Sequence, residues 1–134
     1  MESNEKNKPV ERISPYNDEE LEYFRDIILK KRAEAEEDLI MLQRTLREAM
    51  DNPSDDNAYS FHMADAGTDA SEREKNYVLL NRTKKFVKYL DAALERIDNK
   101  TYGVCKVTGK KISKGRLEAV PHTQISIEAK LKRR

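Results

Sequence analysis

The chain has 134 residues, enough for one domain and too few for two independent cores of ordinary size. Charged residues (38%) equal hydrophobic ones (37%) in weight, and with four glycines, three phenylalanines and no tryptophan this balance suits long exposed helices and argues against an all-β or α/β enzyme. The formal charge of +1 conceals an asymmetry, because residues 99–134 hold ten Lys/Arg against Glu118 and Glu128, which leaves the preceding part net acidic.

Residues 1–16 are polar, contain Pro9 and Pro15 and have no apolar period, so they are predicted to form a flexible N-terminal arm. No apolar run approaches a signal h-region or a membrane span, and a cytoplasmic location without membrane attachment is expected. The single cysteine, Cys105, excludes an intramolecular disulfide and agrees with a reducing compartment.

A helix is predicted from Asp18, where Asn17 can cap the first turn and Glu20 can reach back to complete a capping box. Its apolar seam runs Leu21, Phe24, Ile28, Ala35, Leu39, Leu42 and Leu46, three and four apart, with Lys31 intruding. The helix must stop before Pro53, near Met50, which makes it roughly 50 Å long at 1.5 Å per residue. Polar residues dominate 52–68, and Thr68 or Asp69 is predicted to cap a second helix ending near Asp98. Its seam is Leu80, Thr83, Val87, Leu90, Leu94 and Ile97, extended toward the tip by Tyr77. Two such helices form an antiparallel hairpin over 17–98, with a tip near 52–70.

Residues 99–134 should form the packed base. Three of the four glycines lie there, with β-type pieces expected at Val104 to Val107 and Leu117 to Val120, and a final helix from about Thr123 to the basic end. The predicted fold class is therefore mainly α: a long antiparallel coiled-coil hairpin on a small degenerate zinc-ribbon-like base with a C-terminal helix.

Two features carry candidate chemistry. Between Asp51 and Glu72 there are six acidic residues and no Lys or Arg; they read either as a solvated turn whose aspartates cap helices or as an acidic probe for a partner's basic channel or bound divalent metal. Cys105 and Thr108, then Ser126 and Ala129, keep the spacing of a CxxC…CxxC zinc ribbon with three of its four sulfurs missing. Completing a ligand set from Cys105 and His122 with Glu118 or Glu128 would be improvised, so Cys105 reads as a small buried residue and His122 as a surface residue after proline. Lys106 beside Cys105 is the sole hint of an activated thiol, and no triad pattern accompanies it, so no enzyme is expected. Lys106, Lys110, Lys111, Lys114 and Arg116 can meet phosphates or form a protein-docking face, and Tyr102 is the one stacking aromatic nearby.

The segment His62-Met63-Ala64-Asp65-Ala66-Gly67-Thr68-Asp69-Ala70, then Tyr102-Gly103-Val104-Cys105, Arg116-Leu117-Glu118-Ala119-Val120-Pro121 and the frame from Ser126 to Lys130 closely resemble the DksA/TraR family of bacterial transcription regulators. The resemblance runs from about Asn17 to the C-terminus. It implies a hairpin that enters the secondary channel of RNA polymerase, a tip that approaches the polymerase active site and alters open-complex lifetime, no direct sequence-specific DNA binding, and in many members action with guanosine tetraphosphate, as in the stringent response. Counted back from Cys105, Asp65 falls on the family's second tip aspartate, His62 on the first and Gly67 on the tip alanine. Asp65 and Asp69 are thus the expected acting carboxylates, with Ala66, Gly67 and Ala70 shaping the loop.

Zinc, expected in the family, is predicted lost here, and Ile112, Leu117, Val120, Ile125, Ile127 and Leu131 are available to hold the base by packing. Arg82 and Lys130 are the candidate alarmone or polymerase contacts by resemblance, while Tyr89 and Val120 stand where some members are basic. A monomer is expected, since a hairpin satisfies its own seam. Two other readings remain open at this stage: a factor that stimulates transcript cleavage by lending tip carboxylates to a metal, as the similarly shaped Gre factors do, and a structural coiled-coil adaptor.

Overall fold

The computed structural model describes residues 14–51 and 56–132, with the side chains of residues 50–69 lying outside the description. Among the described residues four helices follow in order: α1 (Asp18–Asp51), α2 (Asp56–Asp98), α3 (Lys114–Ala119) and α4 (Ile127–Lys132). They divide between two compact units, Met1–Arg32 with Lys88–Arg134, and Ala33–Val87.

Helix α1 starts as its sequence dictates. The Asn17 side chain accepts from the Glu20 amide at 2.8 Å, and Glu20 Oε1 accepts from the Asn17 amide at 3.0 Å, so two otherwise orphaned donors are satisfied reciprocally. Helix α2 begins at Asp56 rather than near Thr68 or Asp69. The stretch after Pro53 holds Ala58, Ala64, Ala66 and Ala70, good helix formers, and one internal glycine costs only about 1 kcal/mol, less than a long helix recovers by continuing.

In the unit Ala33–Val87 the seam residues Ala35, Leu46 and Leu80 are buried, and Leu39, Leu42, Thr83, Phe86 and Val87 are half-buried. Tyr77, expected to extend the stripe, is 42% exposed. In the other unit the helices run antiparallel, as their ion pairs require: partners rise in number along α1 as they fall along α2 and the turn after it, from Asp18 with Lys100 through Arg25 with Asp98 to Arg32 with Asp91.

The core of this unit is aromatic at its centre. Phe24 is fully buried, edge-on to Tyr16 at 5.2 Å and tilted against Tyr102 at 5.4 Å between ring centroids. Leu21, Ile28, Leu90, Ala93, Ile97, Ile112 and Leu117 complete it. Ser14 and Tyr16, which composition assigns to the arm, are buried here: the Ser14 amide donates to Lys100 O at 2.9 Å, and the Tyr16 hydroxyl donates to Ile112 O. Apolar contact outweighs the local polarity on which the arm assignment rested.

Helix α2 closes with a Schellman pair, Thr101 N to Arg96 O and Lys100 N to Ile97 O, which puts Lys100 at a φ of 63°. The chain then doubles back between Gly103 and Ile112. Val104 bridges Lys111, and the amides of Cys105 and Ile112 donate to Lys110 O and Gly103 O. This turn is the whole of the β structure among the described residues. Leu117 to Val120, expected as a β piece, mostly lies in α3, because Ser113 caps it by accepting from the Arg116 amide. Helix α4 starts at Ile127 rather than Thr123, and Ser126 caps it by accepting from the Ala129 amide at 3.1 Å. Of the residues expected to hold the base, Ile112 and Leu117 are buried and Val120 and Ile125 half-buried, but Ile127 and Leu131 are exposed, and the short α4 turns Ala129 inward instead.

Candidate functional site

The four positions of the metal frame do come together, through hydrogen bonds. Cys105 is fully buried, and its Sγ accepts from the backbone amides of Ser126 at 3.3 Å and Thr108 at 3.5 Å. Ser126 Oγ is engaged in the cap on Ala129 N, and Thr108 Oγ1 accepts from the Lys110 amide at 3.2 Å. Burial opposes ionisation of the Cys105 thiol, but the hydrogen bonds from Thr108 and Ser126 overcome it and bring the thiol from 9.0 down to about 6.

Beside this frame the segment 121–125 carries no helix or strand, yet side chains or amides from elsewhere in the unit meet four of its carbonyls. Tyr102 Oη donates to Pro121 O at 2.7 Å, Arg96 to His122 O at 3.2 Å, the Lys106 amide to Gln124 O at 2.8 Å and Arg116 Nε to Ile125 O at 2.9 Å. Arg116 also donates to Thr123 Oγ1 at 3.3 Å. The guanidinium read from sequence as a phosphate contact is therefore engaged within the fold. Burial lowers the pKa of Arg96, which stays cationic at neutral pH, and burial raises that of Tyr102, which stays a neutral donor.

His122 is half-buried rather than at the surface, and its ring stacks on Tyr89 at 5.8 Å with 3° between the planes. Burial, then the charges of Arg96, Arg116 and Lys31, holds its pKa below the ordinary histidine value. The pair lines an open groove of about 240 Å³ with Lys106, Val120, Thr123, Gln124 and Ile125.

The expected tip residues Asp65, Ala66, Gly67 and Asp69 fall within the span of α2, but their side chains lie outside the described residues. Ala70 is exposed. Arg82 is exposed in the unit Ala33–Val87, where it lines a shallow hollow with Glu74, Lys75, Val78 and Leu79, and Lys130 is exposed on α4 in the other unit. Sequence reasoning missed Arg96, Tyr102 and Arg116 as the residues that fix 121–125. Tyr102 and Arg116 open two of the motifs that carry the family resemblance, but no spacing shows that they, or Arg96, meet backbone carbonyls that only the fold brings near.

A model of the family described as the prokaryotic dksA/traR C4-type zinc finger matches residues 100–133. The RNA polymerase-binding transcription factor DksA of Caulobacter vibrioides is 30% identical over 122 residues, which cover 91% of this chain and 81% of that protein. The chain belongs to the DksA/TraR family. A solved structure of transcription factor DksA2 from Pseudomonas aeruginosa superposes with a TM-score of 0.71 at 33% identity, covering 84% of this chain and 81% of that one, so the hairpin-and-base fold is the DksA fold. General stress protein 16O of Bacillus subtilis is 36% identical over 73 residues, 54% of this chain and 45% of its own length.

A C4-type finger implies zinc held by four thiolates. The DksA/TraR frame of this chain does not fit that metal: Ala129 has no donor atom and is 2% exposed, Ser126 and Thr108 present hydroxyls already engaged with amides, and Cys105 alone has sulfur. Among the described residues no group of three or more His, Cys, Asp and Glu side chains is placed to hold a metal ion. Nor, among them, is any helix long and apolar enough to cross a membrane.

Proposed function

We propose that this protein regulates transcription by binding RNA polymerase and presenting the acidic tip around Asp65 and Asp69, with Ala66, Gly67 and Ala70 shaping it, to the secondary channel, where it modulates initiation. The observation that supports this reading best is the identity to a polymerase-binding DksA over 91% of the chain, because it spans the hairpin and the base together. Charge agrees with it: the stretch from Asp51 to Glu72 holds six acidic residues and no Lys or Arg, suited to a channel lined by cations or holding a divalent metal, while the last third is basic.

In this reading the protein is a cytoplasmic monomer and not an enzyme, reads no DNA sequence directly and carries no zinc. Arg82 and Lys130 serve as polymerase contacts and as the positions through which guanosine tetraphosphate acts.

The test is binding to the cognate polymerase with promoter-complex lifetime read in the same samples, wild type beside Asp65→Ala/Asp69→Ala. The wild type should bind and shorten complex lifetime, and the double variant should bind without effect. Failure of the wild type to bind would leave a coiled-coil adaptor as the better reading. Transcript cleavage in a stalled complex that the double variant abolishes would identify a cleavage factor instead.

A further inference from the structure

The base of a C4-type finger is ordinarily tied together by its metal, which joins two knuckle turns separated in sequence. In this chain the donor positions are 105 and 108 in the first turn and 126 and 129 in the second, which directly follows residues 121–125, and three of the four donors are absent. An irregular segment without a metal still has to satisfy its backbone, and unmet carbonyls there would open the turn to water.

We propose that Arg116, assisted by Arg96 and Tyr102, performs the crosslinking task of the lost metal, as a hydrogen-bonded clamp on residues 121–125. Three observations converge. The three side chains come from different elements: Arg96 from the end of α2, Tyr102 from the turn after it and Arg116 from α3. Together they engage Pro121, His122, Thr123 and Ile125, so the segment is gripped along its length rather than at one point. Arg116 makes two of these contacts through one planar fork, a geometry that a flexible lysine does not reproduce.

The clamp sets the register in which the second knuckle meets the first. With 121–125 held, Gln124 O accepts from Lys106 N at 2.8 Å and Ser126 N donates to Cys105 Sγ at 3.3 Å, the two bonds that join the turns where the metal would stand. Sulfur persists at one position as an acceptor.

The inference rests on the reading that the natural chain carries no zinc, and the experiment separates the two. Zinc content of the purified full chain is measured first; one zinc per chain overturns both. Amide hydrogen exchange is then compared in wild type, Arg116→Lys and Arg116→Ala. The Lys106 and Ser126 amides should exchange at least tenfold faster in both variants, while Thr101 at the end of α2 keeps its rate. Unchanged protection at Lys106 and Ser126, or equal loss at Thr101, overturns the clamp in a zinc-free chain.

A restored finger, Thr108→Cys/Ser126→Cys/Ala129→Cys loaded with zinc, supplies the second arm. There Arg116→Ala should speed exchange at Lys106 by less than threefold, because the metal again does the work. A full tenfold effect in the zinc-loaded variant overturns the proposal, and if the variant takes up no zinc the first arm decides.

Discussion

Gly103 sits where its neighbours leave no room. A Cβ there would lie 2.7 Å from Cδ2 and Cε2 of the Tyr16 ring, and the backbone is at φ +88°, a region that L residues resist. Gly103→Ala should therefore destabilise the protein by about 2 kcal/mol or more, from strain together with displacement of a ring that is 2% exposed, read as a lower urea midpoint at unchanged slope. Cys105 contributes to the response of stability to pH. The folded thiol ionises near 6 and the ordinary thiol near 9.0, so between those values the unfolded chain binds more protons than the folded one. Stability should rise with pH across that window, and this contribution should vanish as pH falls through 6. Urea midpoints at intervals from pH 6 to 9 check it, with Cys105→Ala flattening the slope; an equal slope in that variant would assign the effect elsewhere. The periodic seam placed Leu21, Phe24, Ile28, Leu90 and Ile97 in the core correctly, but no periodicity could place Tyr16, whose burial depends on Gly103 and Ile112 some ninety residues away.

At the scale of elements, what was legible follows how local the cause is. The Asn17–Glu20 box is a contact three residues apart, and it formed as read. Asn17→Ala should cost about 1 kcal/mol and lower helical protection in the first turn of α1, measured by exchange of the Glu20 amide. Helix α2 starts earlier than its polar residues suggest, because a stretch with several alanines and a single glycine supports a helix. In the base, Leu117 to Val120 has strand-like composition, but Ser113 immediately before α3 caps it, and capping decides for so short a segment. The frame Cys105, Thr108, Ser126 and Ala129 was legible from spacing alone, and the bonds that now join it were not, because they are made mostly by backbone atoms whose positions only the fold supplies.

For the whole molecule, the two compact units differ in how they are held. The unit Ala33–Val87 depends on a helical seam, whereas the unit of Met1–Arg32 with Lys88–Arg134 adds an aromatic centre, ion pairs and the clamp on 121–125. A strong zinc chelator in excess should leave the thermal midpoint of the protein unchanged, and a fall of several degrees on treatment would mean that a metal contributes to its stability. The way Ser126 and Ala129 are built also bears on how a finger could be restored. Thr108→Cys alone removes the acceptor for Lys110 N, Ser126→Cys alone removes the oxygen that caps α4, and Ala129→Cys alone adds bulk in a filled site. Each single step toward a four-thiolate frame thus gives up a hydrogen bond or crowds a filled site before four sulfurs are present to bind a metal, so the frame gains from thiolates only when they arrive together.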